Sequence, residues 1–408
     1  MVLPIFCILV FWLCSVLWKF FWKIIVMGRF GILFLVVWCC VWCSPAGARV
    51  YSGRLDKADV RCVVTDVAAW QIEAYPRMDE KRYWKSNGDL SWENGVFLSA
   101  LASWAEFDGN GEFIEWYESV CERNRYQLSG GANRIYFADD LAVALMYARL
   151  YMKRQEDCII HPTVSRLEFI MNHPSPSGFY IDTPHAKDRW SWCDALYMAP
   201  PVFAAFANIT CNPRLREFMD REYWMSYRFL FDKREKLFYR DSSYFGKRER
   251  NGEKVFWGRG NAWVVAGLSL LIPQLPDDFV SRGRYIELFK EMMSRIVTFQ
   301  DGKGYWHASL LDPASYPSPE TSSTGFFTFA LWWGINAGLL DEDIYLPYAR
   351  RGWEALVASV QPDGMLGWVQ PVGAAPQRVT KEMTEVYGAG AFMLAGKEIM
   401  VYLDSVKE

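Results

Sequence analysis

The feature that most constrains this chain is an alternation between two kinds of helical segment. From about residue 56 onward the apolar spacing is helical almost throughout. Strongly apolar stretches recur, among them ENGVFLSALASWAEF, ALYMAPPVFAAF, NAWVVAGLSLLI and GFFTFALWWGINAGLL. Between them lie charged amphipathic stretches such as PRLREFMDREYWMSYRFLFDKRE. A helix that is apolar all round must be surrounded by protein, whereas one with a single apolar stripe needs cover on one side only. The spacing predicts helices near 58–75, 91–106, 112–126, 136–153, 161–173, 190–208, 213–232, 259–273, 278–300, 321–339, 343–361 and 381–403. They fall into six pairs whose second, more apolar members begin near 91, 136, 190, 259, 321 and 381. An inner ring of apolar helices inside an outer ring of amphipathic ones is an all-α (α/α)6 barrel, one domain over residues 49–408. A helical solenoid is the alternative, but no short repeated signature accompanies it.

Residues 1–48 are different material. Met27 and Arg29 give a short positive start, residues 31–43 an apolar run, and Ala46-Gly47-Ala48 an A-x-A cleavage site. The expectation is an exported protein, periplasmic or at the cell surface, with its true start at Met27 and its mature chain beginning near Arg49. The competing reading is a membrane anchor, because residues 3–26 are long enough to span a bilayer.

Composition narrows the function. A net charge of −3 leaves no basic excess for nucleic acid, and no P-loop or dinucleotide-binding glycine pattern occurs. The 20 Trp residues, many beside Gly, Asn or Asp, suit a protein that presents aromatic faces to a ligand. A tryptophan-rich core is the plainer alternative. Five of the ten cysteines lie in the leader. The rest, Cys62, Cys121, Cys158, Cys193 and Cys211, show neither CxxC spacing nor an even count, which argues against a disulfide framework or structural zinc. The four histidines are not paired at metal spacing, so no metal and no cofactor is expected. His307 is either a loop histidine facing water or a ligand contact.

The starts of the inner helices converge on one mouth, and polar or aromatic groups recur there. The first carries Trp92, Glu93 and Asn94. The second carries Asp139 and Asp140, and the third Trp190, Trp192 and Asp194. The fourth carries Arg259, Asn261 and Trp263, and the fifth Glu320, Thr321 and Ser323. An Asp at a helix start is ordinarily a cap. For Asp194 a cap explains less, because Trp190, Trp192 and Tyr197 crowd it on what reads as the buried face of a helix. Apolar crowding raises a carboxyl pKa, and a pair of carboxyls is the usual equipment for breaking a glycosidic bond. Arg259 and Trp263 stand at i, i+4, on one side of a helix. The pair reads as a fork for an anionic group beside an indole platform, or else as internal Arg–Trp packing. Arg240 in LFYRDSSY is a second, weaker candidate.

WSWCDALYMAP, FWGRGNAW and ETSSTGFFTFALWWGINAGLLD, in this order, resemble glycoside hydrolase family 105, the unsaturated rhamnogalacturonyl hydrolases. Family 88, the unsaturated glucuronyl hydrolases, is a more distant likeness. The resemblance runs from about Trp92 to Tyr387 and implies a single (α/α)6 barrel. It implies a substrate as well: the unsaturated uronic acid that a lyase leaves at the non-reducing end of an acidic oligosaccharide such as rhamnogalacturonan. In that chemistry an aspartic acid protonates the C4=C5 enol ether, water adds at C5, and the hemiketal opens. Carried over by motif, Asp194 is the general acid/base and Trp192 flanks the ring. Arg259 and Trp263 hold the uronate and the sugar, and Asp139 or Asp140 is the second aspartate, with Asp139 preferred. Trp92, Trp190 and Arg240 complete the expected substrate contacts. Two positions depart from the family: Arg240 stands where a histidine is common, and Ala144 or a neighbour where a glycine is common. No nucleic acid and no stable protein partner is implied. Another (α/α)6 glycosidase, a uronate lyase or a non-catalytic glycan-binding module are the alternatives.

Overall fold

The computed structural model describes residues 49–75 and 88–406. The leader, the A-x-A site and the 3–26 candidate span lie outside the described residues. No helix among the described residues is long and apolar enough to cross a membrane.

Among the described residues, thirteen α-helices build the barrel. The outer ring is α1 (Lys57–Ala74), α3 (Gly111–Arg123), α5 (Asp157–Asn172), α8 (Pro213–Leu230), α10 (Arg282–Ile296) and α12 (Glu342–Ala358). The inner ring is α2 (Trp92–Asp108), α4 (Ala144–Arg154), α6 (Ala195–Met198) with α7 (Pro200–Ile209), α9 (Gly258–Leu271), α11 (Thr321–Asn336) and α13 (Val386–Ser405). Each inner helix packs on the next, and α13 returns to pack on α2, so the ring closes. Closure is why helices such as α11 tolerate apolar groups on every side: Phe326, Phe327, Leu331 and Trp332 are all buried.

The third inner helix is broken where the sequence suggested one piece. Pro200 and Pro201 have no N–H to donate, and they seed a new helix at its first positions rather than continuing α6. Its expected start also moves. Trp190–Trp192 are not helical: Trp192 bridges Asp241, and Cys193, in the turn that follows, donates its N–H to Arg240 O at 2.8 Å. Asp194 is therefore at a helix start, not on a helix face. The fourth expected helix start differs similarly: Ala138–Leu141 form a 3-10 turn ahead of α4, and that turn carries Asp139 and Asp140.

The connections are unequal. Those leading from inner to outer helices are short, such as 109–110 and 155–156, while those entering inner helices are long, spanning 124–143, 173–194, 231–257 and 359–385. All the long ones reach the mouth where inner helices begin. Within one of them β1 (Phe231–Asp232) and β2 (Leu237–Phe238) form a short antiparallel hairpin. Asn261 of α9 holds it by accepting from Phe238 N and donating to Phe238 O. The hairpin thereby delivers Arg240 and Asp241 beside Trp192 and Asp194.

Candidate active site

Two carboxyl groups at the mouth lie within electrostatic reach of each other, and their surroundings differ. Asp194 stands at the start of α6, receives a contact from the Cys193 thiol at 3.4 Å, and has Arg240 Nε 3.6 Å from its Oδ2. Arg240 also donates to Asp241 at 2.6 Å, so this side of the site carries a cation braced by two acids. Asp139 has no cation at bonding distance among the described residues. Its Oδ1 is buried with no hydrogen-bond partner. Burial first, and the charge of Asp194 second, push the Asp139 carboxyl up to about 7, opposed by Lys187 and Arg240. Asp139 therefore keeps its proton to higher pH than a free aspartic acid does.

Asp140 does not belong to this pair. Its carboxylate accepts from Arg134 at 2.9 Å, and the loop at Gly130 folds onto it. Gly130 has φ +82, and a Cβ there would collide with Asp140 Oδ2, so only glycine lets the loop close. Asp140 is thus a structural tie, and the structure separates the two adjacent aspartates that the sequence left open.

The expected guanidinium fork is corrected. Arg259 is 1% exposed. Its two terminal nitrogens donate to Gln370 O at 2.5 Å and Pro371 O at 2.9 Å, and its faces are covered by Trp257 and Tyr387. It holds the 370–371 segment over the barrel and offers no open edge to a ligand. Trp263 is likewise fully buried, under Trp92, Tyr197, Phe326 and Tyr387, and forms the floor beneath the site. Trp190 packs outward on Phe203 and Phe218 and is core. Glu320 accepts from Ser322 N, Ser323 N and Gln370 N, which makes it a saturated cap. His307 is held by Tyr316 O, Ser318 O and Asp301, pinning a loop. Trp92 is partly exposed and stacks on Tyr387, so it retains an accessible edge.

Trp192 stays in the site with a companion that the sequence did not reveal. Phe137 stacks on it at 5.3 Å, and Lys187 Nζ stands 5.5 Å and 5.4 Å from the two ring centres. Lys187 makes no ion pair among the described residues, yet Asp139 feels its charge. A half-buried ammonium without an acid, beside a carboxyl pair, is a ready anion site. It sits in PHAKDRW, a loop without period, where no sequence signal distinguishes it.

These elements are a carboxyl pair with unlike surroundings, an aromatic wall and a free cation in the mouth of a six-hairpin barrel. Over the same span, residues 63–403 match the model of Glycosyl Hydrolase Family 88. The chain belongs to glycosyl hydrolase family 88. The resemblance to families 105 and 88 that the motifs carry is borne out by this match. A family relative named unsaturated 3S-rhamnoglycuronyl hydrolase, from Alteromonas sp. (strain LOR), is 35% identical over 349 residues, 82% of this chain and 84% of that protein. One of the same name from Formosa agariphila is 33% identical over 373 residues, 89% and 96% of the two chains. A solved structure described as a polysaccharide lyase superposes with a TM-score of 0.77 at 29% identity, covering 86% of this chain and 98% of that one.

Proposed function

We propose that this family 88 glycoside hydrolase removes an unsaturated uronic residue from the non-reducing end of a lyase-generated oligosaccharide in which that residue is joined to rhamnose. The observation that carries the reading is the Asp139–Asp194 pair, one carboxyl beside Arg240 and the other buried and proton-holding. Asp194 delivers a proton to C4 of the enol ether, which leaves an oxocarbenium ion at C5. Water attacks C5 and loses its proton to the pair, so the pair ends as it began. The hemiketal opens, the rhamnose hydroxyl leaves, and one water is consumed overall. Asp139 replenishes Asp194, and Arg240 balances the charge between them. Lys187 takes the uronate carboxylate while the Phe137–Trp192 stack borders the sugar ring.

The test is absorbance of the C4=C5 bond in unsaturated disaccharides incubated with the chain from Arg49 onward. Hydrolysis removes the absorbance. A rise on intact polysaccharide supports the lyase reading that the structural neighbour raises, and binding without change supports a glycan-binding module. We also propose that the protein is exported, supported by the Ala46-Gly47-Ala48 site. N-terminal sequencing of the mature protein should then begin at Arg49, and a start at Met1 or Met27 contradicts it.

A further inference from the structure

A further acid on the Arg240 side takes no part in the proton transfers described above. Asp241 is 2% exposed, and its two oxygens have separate tasks. Oδ1 accepts from Ser243 N at 2.8 Å, which caps the 3-10 turn Ser242–Tyr244, and Oδ2 accepts from Arg240 Nη1 at 2.6 Å. The backbone is tied at the same place, because Trp192 bridges Asp241 and Cys193 N donates to Arg240 O at 2.8 Å. The residues that hold Arg240 and those that lead into Asp194 are thus one hydrogen-bonded unit. Burial favours the neutral acid, but the hydrogen bonds from Ser243 and Arg240 outweigh it and hold the Asp241 carboxyl below the usual aspartate value. Arg240 is not fully satisfied in return. Its Nε is buried, has no hydrogen-bond partner among the described residues, and stands 3.6 Å from Asp194 Oδ2. A movement of about half an ångström brings that pair to hydrogen-bond distance.

We propose that Asp241 is a positioning residue: it sets the Arg240 guanidinium so that the Nε–H meets the Asp194 carboxylate created when Asp194 gives its proton to C4. This rests on the hydrolase reading above. A guanidinium is a rigid planar fork, so an acid that fixes Nη1 also fixes where Nε–H points. While Asp194 carries the proton to be transferred, its Oδ2 is a neutral and weaker acceptor. Once the proton has gone the oxygen is an anion, and the contact becomes a charge-assisted hydrogen bond. The bond therefore strengthens as the transition state is approached, which raises kcat and leaves ground-state binding largely unchanged. Protons balance without Asp241: Asp194 gives one to C4, the attacking water restores one to the pair, and Asp241 exchanges none.

A double-mutant cycle tests this on an unsaturated uronyl-rhamnose disaccharide, with wild type, Asp241→Asn, Arg240→Met and the double variant. Asp241→Asn keeps a side-chain oxygen for the turn cap and removes the charge that holds Nη1. It is expected to lower kcat about tenfold to a hundredfold with KM within twofold, as for one charged hydrogen bond. In the Arg240→Met background the same substitution is expected to cost less than about twofold, because the group it acts through is gone. Equal kcat losses in the two backgrounds overturn the proposal, since a carboxylate that only supports the fold costs the same with or without Arg240. A loss carried mainly by KM overturns it too, as does wild-type kcat in Asp241→Asn. Arg240→Lys leaves Asp241 in place and keeps a positive charge but has no fork, so it tests the idea even if Asp241→Asn does not fold. Its kcat is expected to fall nearly as far as that of Arg240→Met, and wild-type kcat there would show that charge without aim suffices, which overturns the proposal. All these results leave the hydrolase reading standing. Absence of absorbance loss by wild type overturns that reading and the positioning role with it.

Discussion

The two ends of the barrel are built from the same six inner helices, yet among the described residues the carboxyl pair lies at one of them. At the mouth where those helices begin, long connections bring Asp139, Lys187, Asp194 and Arg240 together. At the other end the connections are short, and the helices enclose an apolar cavity of about 380 Å3 lined by Ala100, Leu145, Ala148, Leu270 and Leu394. Apolar lining alone selects the second as a ligand pocket. Among the described residues it holds no pair of acids. The contrast teaches that in a closed ring of helices the shape of a cavity comes from the helices, and its reactivity from the segments that enter them.

Substitutions at each end test this contrast. The largest effects belong to the carboxyl pair. Asp194→Asn should lower kcat by roughly 10^3-fold, the range of a lost general acid, with the far-ultraviolet circular dichroism unchanged. Asp139→Asn should also impair turnover, and it adds a stability signature. The folded state holds the Asp139 proton at about 7 against 3.8 for the free side chain. The stabilisation from this group is therefore complete below about pH 4 and is lost as pH rises through 7. At pH 8 Asp139→Asn should be more stable than wild type by about 1–2 kcal/mol in urea unfolding, with the difference shrinking toward pH 5. An unchanged difference across that window would mean that Asp139 holds no extra proton. Next comes Lys187→Met, expected to raise KM about tenfold with a smaller change in kcat, as for loss of one charged hydrogen bond. Equal effects on KM and kcat would place the uronate elsewhere. The smallest effect is at the far end. Ser103 Oγ lines the apolar cavity, buried and without a hydrogen-bond partner, so Ser103→Ala should leave activity within twofold and stability equal or slightly higher. A large activity loss there would break the division between the ends.

The ring of helix pairs was legible in the sequence because a helix apolar all round has to be enclosed by protein, and its period persists over a dozen residues. The break before α7 was also written there, in Pro200-Pro201. The entering loops were not legible. Trp190–Trp192 resemble a helix by composition but stay out of it, Trp192 pairing instead with Asp241, a contact made across a long separation. Asp139 and Asp140 are adjacent, and which one points inward is set by a 3-10 turn and by Gly130 closing on the other. Arg259 was read through its i, i+4 neighbour Trp263. Its actual ring partners are Trp257 and Tyr387, the latter brought by the last helix, and that cover is what removes it from the ligand's reach.

The last helix has a consequence in time. A ribosome delivers α2 long before α13, yet the two are neighbours in the ring. Tyr387, near the start of that 20-residue helix, stacks on Trp92, covers Arg259 and donates to Gln370 O. Before α13 docks on α2 the ring is open, and the Tyr387 cover over Trp92 and Arg259 is missing. Domains that depend on such distant pairings fold late and as a unit. A ring that has not yet closed therefore has no finished site to offer the sugar.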